Sequence, residues 1–239
     1  MMLSQNEQKK RVGYESIDRL IERNIICDGA KVGLGTGSTA VHAVYRLGEH
    51  LKKGTVKDVK AVVTSMQTQI ACEECDIPVY TLNSKAIDGV LDVSIDGADE
   101  IDPDNNLIKG GGAAHVLEKI VEYNSKVFVV IADASKLVQT VGTKFPLPVE
   151  VIGAARFPVQ KRLEALGATC TVRTCAGKAG PIVTDNGNHI LDCVWKNPVD
   201  PKAMEDTIKS ITGVVEVGFF TKLKPIVFIV HPDGTIEER

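Results

Sequence analysis

The sequence has 239 residues and a mass of 25.7 kDa, is 44% hydrophobic and 25% charged, and carries a formal net charge of −3 from 28 basic and 31 acidic side chains. These proportions exclude a disordered, collagen-like or fibrous chain, and a length of this order buries roughly 70–75% of the surface its unfolded form exposes. With no basic excess and only 5% aromatic residues, the composition argues against phosphate-backbone contacts and base-stacking platforms, so no nucleic-acid partner is expected.

In chain order, Met1 to Glu7 is polar and lacks the apolar run of a secretory signal. Ser4 and Glu7 stand in capping-box spacing before Val12, Ile17, Leu20, Ile21 and Ile25, which predicts an amphipathic helix. A short strand at 31–34 runs into Gly35-Thr36-Gly37-Ser38-Thr39, followed by a helix at 40–51. Strand 61–64, helix 66–75, strand 78–82 and strand 90–95 come next, the last ending at Asp96-Gly97-Ala98-Asp99-Glu100. After a polar turn, Lys109-Gly110-Gly111-Gly112 leads into a helix from Ala113 to about Tyr123, then strand 126–131 with Lys136 just beyond it. Strands alternating with helices predict βα units around a mostly parallel sheet.

Beyond Phe145-Pro146-Leu147-Pro148 the pattern changes. It reads strand 149–152, helix 157–166, strand 169–173, strand 181–184, a type I′ turn at Asn186-Gly187, return strand 190–195, helix 202–211 and strand 214–219. Apart from one extra hairpin strand this is the β-α-β-β-α-β order of ferredoxin-like domains. The expected division is therefore a Rossmann-like domain over 1–146 and 218–239 and a ferredoxin-like domain over 147–217, with strand 225–230 returning to the first.

The longest apolar stretches, 127–132 and 225–230, are far too short to span a bilayer, so a cytoplasmic protein without a membrane partner is expected. The six cysteines, at 27, 72, 75, 170, 175 and 193, are expected to be free and mostly buried thiols. Cys72 and Cys75 have CxxC spacing, but no second pair completes a zinc site and the motif lies in a helical pattern; no metal is expected.

Four segments carry chemistry. The Gly33 to Thr39 loop between a strand and a helix offers backbone N–H groups and hydroxyls to an anion. No acidic residue follows at the ribose-binding distance and no Lys follows Gly37, so a phosphate suits it better than a dinucleotide; a plain tight turn is the alternative. Asp96, Asp99 and Glu100 crowd one strand end, which suits proton transfer or a metal, or is merely an acidic surface turn. Lys109 with Gly110, Gly111 and Gly112 forms a second nest suited to an oxyanion, and Glu118 on the following helix can abstract a proton or simply be an exposed charge; His115 is expected to be packed. Lys136 follows another strand. Together they suit a small, polar, anionic substrate.

These segments closely resemble type A ribose-5-phosphate isomerase: GLGTGSTA at 33–40, SIDGADEID at 94–102, IKGGGAA at 108–114, EKI at 118–120, IADASK at 131–136, KFPLPVEV at 144–151 and VTDNGN at 183–188. The resemblance implies a Rossmann-like domain with a ferredoxin-like lid. It also implies interconversion of D-ribose 5-phosphate and D-ribulose 5-phosphate through an enediolate, in the non-oxidative pentose phosphate pathway, without metal or organic cofactor. By the same resemblance Glu118 is the base, Asp96 and Asp99 act on the sugar oxygens, and Lys109 stabilises the oxyanion. Thr36, Gly37, Ser38, Thr39, Gly97, Ala98, Gly110, Gly111, Gly112 and Lys136 bind substrate, Lys9 is a phosphate contact, and the assembly is a homodimer or homotetramer. Leu117 departs from the Arg common before the base. Two competing classes are an acyl–CoA transferase, which shares a related fold but presents its glutamate in another motif, and a sugar-phosphate sensor, which would carry a helix-turn-helix segment.

Overall fold

The computed structural model describes residues 2–239, which form two compact units. The first comprises residues up to Gly97, Leu117–Lys136 and Pro225–Arg239; the second comprises Ala98–Val116 and Leu137–Lys224.

The first unit begins with α1 (Gln5–Glu22), whose capping box closes as expected: Glu7 N–H donates to the Ser4 hydroxyl and Ser4 N–H to the Glu7 carboxylate. Then follow β1 (Lys31–Leu34), α2 (Ala40–Lys53), β2 (Lys60–Val63), α3 (Met66–Glu74), β3 (Val79–Tyr80) and β4 (Leu91–Asp96). After β5 (Glu100–Ile101) and β6 (Leu107–Ile108) of the second unit come α4 (His115–Tyr123) and β7 (Ser125–Asp133). The second unit continues with β8 (Leu147–Val151), α5 (Arg156–Ala165), β9 (Ala168–Val172), β10 (His189–Trp195), α6 (Pro201–Lys209), β11 (Val214–Val217) and β12 (Phe219–Phe220). The chain ends in the first unit with β13 (Ile226–Val230) and β14 (Ile236–Glu238).

The seven-stranded sheet has the order β14-β13-β7-β4-β1-β2-β3, parallel except at β14. Leaving β14 aside, the strands run in the doubly wound Rossmann order, which reverses between β1 and β4. Val12, Ile17 and Leu20 of α1 and Val44 and Leu47 of α2 close one core with Val32, Leu34, Val93 and Ile95. Gly33 faces the other way: a Cβ there would stand 2.6 Å from the Val121 Cγ1, so its bare backbone lets α4 pack directly on β1.

In the second unit, β11-β8-β10-β9 form an antiparallel sheet in the 4-1-3-2 order of a ferredoxin-like fold, and residues 147–217 hold all four strands and both helices. A separate sheet, β12-β6-β5, was not foreseen; its two-residue strands are too short to leave a periodic signal. The second unit also takes in 98–116, 137–146 and 218–224, which the sequence boundaries at 147 and 217 leave in the first.

The expected hairpin at 181–195 requires correction. Residues 181–184 form no strand beyond a single bridge from Pro181 to Thr174. Of the turn pair only Gly187 has positive φ (80°), whereas type I′ needs both. The loop is held instead by the buried Glu150 carboxylate, which accepts from the Thr184 hydroxyl and the Asn188 amide, each at 2.9 Å.

Candidate active site

The candidate residues divide between the units. Lys9, Thr36, Gly37, Ser38, Thr39, Asp96, Gly97, Glu118 and Lys136 belong to the first; Ala98, Asp99, Lys109, Gly110, Gly111 and Gly112 belong to the second.

In the first unit the β1–α2 loop and the end of β4 meet where the strand order reverses, the position at which open α/β sheets bind ligands. Asp96 is 1% exposed, and its Oδ1 accepts from Thr36 N–H at 3.0 Å and Gly97 N–H at 2.7 Å. The Thr36 hydroxyl lies 2.7 Å from both the Thr64 and Ser65 hydroxyls, while Thr68 donates to the Gly35 carbonyl at 2.7 Å. This hydroxyl cluster, contributed by the β2–α3 segment, fixes the loop from below. Gly37 (φ 113°) donates to the Gln67 side chain at 3.2 Å, and Lys9 Nζ donates to the exposed Ser38 hydroxyl at 3.0 Å. Thr39 stands at the N-cap of α2 without a side-chain bond, so the helix start is served by backbone alone.

Glu118 is buried, 4% exposed, in the first turn of α4. It precedes Val121 by three residues and shares the helix face that packs on Gly33. Lys136 is half-buried on a single 3-10 turn after β7, next to β4; Asp133 caps that turn by accepting from Ser135 N–H at 3.0 Å.

In the second unit, Asp99 Oδ2 accepts from Gly111 N–H at 2.7 Å, and a Cβ on Gly111 would approach Asp99 Oδ1 to 2.6 Å. Gly110 (φ 106°) begins a turn closed by Ala113 N–H at 3.0 Å. Lys109 is 2% exposed; its N–H donates to the Gly218 carbonyl at 2.9 Å and its ammonium lies 5.6 Å from the Phe220 ring centroid, a cation–π contact at the end of β12. His115 is fully buried against Gly110, a packed side chain as its sequence context implied. Glu100 parts company with its acidic neighbours: its carboxylate accepts from the N–H groups of Gly142, Lys144 and Phe145 at 2.5, 2.5 and 2.6 Å, and serves the 142–145 loop.

Two contributions escaped the sequence reading. The Thr64, Ser65 and Thr68 cluster had no assigned role, and Arg173 was read only as the end of a strand. Arg173 pairs with Asp192 through Nε at 2.9 Å and Nη2 at 2.5 Å, while its Nη1 donates to the Gly110 and Gly111 carbonyls at 2.7 and 3.2 Å. Nothing in local spacing signals a contact made across that span of chain. No group of three or more His, Cys, Asp or Glu among the described residues is arranged to hold a metal ion. Nor, among them, is any helix long and apolar enough to cross a membrane. Burial pushes the Cys72 thiol up to about 12, and Cys75 also upward, which disfavours the thiolate form of the CxxC pair.

Residues 60–234 match the family model of ribose 5-phosphate isomerase A (phosphoriboisomerase A). Over 98% of both chains, the sequence is 56% identical to a ribose-5-phosphate isomerase A from Treponema denticola. The chain belongs to the ribose-5-phosphate isomerase A family. A second isomerase A, from Treponema pallidum, is 47% identical over 97% of this chain and 92% of its own. Among solved family structures, a D-ribose-5-phosphate isomerase in complex with phospho-erythronic acid is similar with a TM-score of 0.91 and 38% identity, covering 99% of this chain and all of that one. The isomerase A of Methanocaldococcus jannaschii follows at 0.89 and 37%, with the same coverage.

Proposed function

We propose that this protein interconverts D-ribose 5-phosphate and D-ribulose 5-phosphate through an enediolate, as a cytoplasmic homodimer or homotetramer of the non-oxidative pentose phosphate pathway. The observation that carries this reading is the family match over nearly the whole chain. The buried Glu118 on α4 and the Asp96-bound loop at the reversal of strand order agree with it.

The ring-opened aldose has an acidic C2–H beside its C1 carbonyl. Glu118 takes that proton, and the electron pair moves through C1–C2 onto O1. Lys109 and the Gly110 to Gly112 backbone stabilise the resulting oxyanion. A proton then passes from O2 to O1 with help from Asp96 and Asp99, which also assist ring opening. As the carbonyl forms at C2, Glu118 returns its proton to C1. Atoms and charge balance without an external acceptor. Thr36 to Thr39, Gly97, Ala98 and Lys136 hold the substrate, and Lys9 contacts its phosphate, whose charge of roughly −1.5 to −2 makes its removal from water costly unless lysines and N–H groups face it. Phospho-erythronic acid, the compound bound in the related structure, carries a planar carboxylate that imitates the two enediolate oxygens, so it should inhibit this protein competitively.

The test is turnover of ribose 5-phosphate with EDTA present, for wild type and Glu118→Gln. A positioned base contributes typically ~10²–10⁴-fold, so the variant should lose that much in kcat while still binding phospho-erythronic acid. Wild-type binding without turnover would replace the isomerase by a sensor; equal turnover in both proteins would remove Glu118 from the role of base.

A further inference from the structure

Two cysteines that the reaction does not use lie side by side in the four-stranded sheet of the second unit. Cys170 of β9 and Cys193 of β10 are direct cross-strand partners, with sulfurs 3.6 Å apart. The type of pair follows from the ladder. Arg173 N–H donates to the Ile190 carbonyl at 2.9 Å, one step beyond the Leu191–Val172 pair. Bonded and non-bonded pairs alternate in an antiparallel ladder, so Leu191–Val172 and Cys193–Cys170 are both non-bonded. Such pairs hold their Cα atoms about 4.5 Å apart with side chains at closest approach. That lies within the roughly 4.4–6.8 Å that a disulfide spans. The sheet can close this bridge by turning side chains alone.

We propose that Cys170 and Cys193 form a redox modification site, a dithiol that a hydroperoxide converts to a cross-strand disulfide. Cys170 is the half-exposed member and Cys193 the buried one, which assigns the order of events. The Cys170 thiolate attacks the peroxide oxygen, displaces hydroxide and becomes a sulfenic acid. Cys193 then gives up its proton, attacks that sulfur and expels hydroxide, which leaves as water. Two thiols and one hydrogen peroxide yield one disulfide and two waters. The thiol hydrogen bond between them lowers Cys170 from its ordinary range against the opposing effect of burial and, together with burial, pushes Cys193 well up, so Cys170 is the member that ionises first. The direct cross-strand register sets this pair apart from the CxxC motif, which lies on a helix and its C-cap. On the opposite face of the same strands lies the Arg173–Asp192 ion pair, so the bridge would close the ends of the 173–188 segment without displacing that contact.

The experiment uses the folded wild-type protein, independently of any activity. It is exposed to hydrogen peroxide, quenched, alkylated with N-ethylmaleimide before and after unfolding, and mapped by mass spectrometry. The expected result is a Cys170–Cys193 linked peptide as the first product, with free thiols falling from six by two and the loss reversed by dithiothreitol. Cys170→Ser should abolish the link. The proposal is overturned if Cys170 and Cys193 both remain alkylatable while Cys175 or Cys27 oxidises. It is equally overturned if Cys170 proceeds to a sulfinic acid without a link, or if the link forms only in urea.

Discussion

Asp96 occupies the space that any side chain at position 35 would need: a Cβ on Gly35 would lie 1.9 Å from the Asp96 Cγ. The same carboxylate holds Thr36 N–H, so the missing side chain at 35 and the buried acid at 96 are one structural device. Gly35→Ala must push either the loop or Asp96 aside. Overpacking of this kind costs about 1–3 kcal/mol, measurable by urea unfolding, and isomerase kcat/KM should fall at least about tenfold. Full activity in a folded Gly35→Ala protein would show that Asp96 need not sit under the loop.

Arg173 holds the carbonyl side of the glycine loop while Asp192 holds Arg173. Removing the guanidinium frees Gly110 and Gly111 without touching Lys109. Arg173→Gln should therefore lower kcat about ten- to a hundredfold, with a smaller change in KM, besides lowering the unfolding midpoint because Asp192 is left without its partner. Arg173→Lys, which keeps the charge but not the fork, should recover only part of that loss. A purely stabilising role would move the midpoint and leave kcat alone.

Glu100 offers a contrasting expectation. Its carboxylate accepts three backbone N–H groups at 1% exposure, and Gln keeps only one acceptor oxygen. Glu100→Gln should cost about 2–3 kcal/mol of stability, seen as a lower melting temperature, because buried N–H groups are left without an acceptor. At a temperature where the variant is folded, kcat should remain close to wild type.

The α1–α2 contact should report on acid. Burial alone would raise Asp18, but hydrogen bonds from Arg46, at 2.7 and 2.9 Å, and from His50, at 2.6 Å, outweigh it and hold the carboxyl below its ordinary value. A lowered folded-state pKa gives stability that is present above the unfolded value of 3.8 and is lost as pH falls through the folded one. The gap in urea midpoint between wild type and Asp18→Asn should thus be full at pH 7 and shrink in strong acid. A gap that is constant with pH would assign Asp18 a packing role only.

What the sequence disclosed depends on how far each cause reaches along the chain. The Ser4–Glu7 box, the β-branched run of β7 and the strand–glycine–helix step at 31–53 are local, and each is readable from neighbours within a few positions. The βαββαβ order of 147–217 was also legible, because each element carries its own period. The false strand at 181–184 arose where turn chemistry and β-branched residues agreed, yet the buried Glu150 claimed the side chains of Thr184 and Asn188. At the candidate site, nests and acids announce themselves by composition. The division of duty between Asp99 and Glu100 does not, since it depends on which loop brings its N–H groups to each carboxylate. Arg173 is silent for the same reason.

The place of β13 carries a consequence for synthesis. Its register runs from Ile226↔Val129 to Val230↔Asp133, so the second half of β7 is covered on one edge by a strand that leaves the ribosome long after it. Until then an apolar, β-branched strand presents unpaired N–H and C=O groups, a template for a strand from another chain. A protein cut short after residue 224 would keep that edge open and should aggregate during expression. A tag appended after Arg239, by contrast, extends from the antiparallel β14 and leaves the seal on β7 in place.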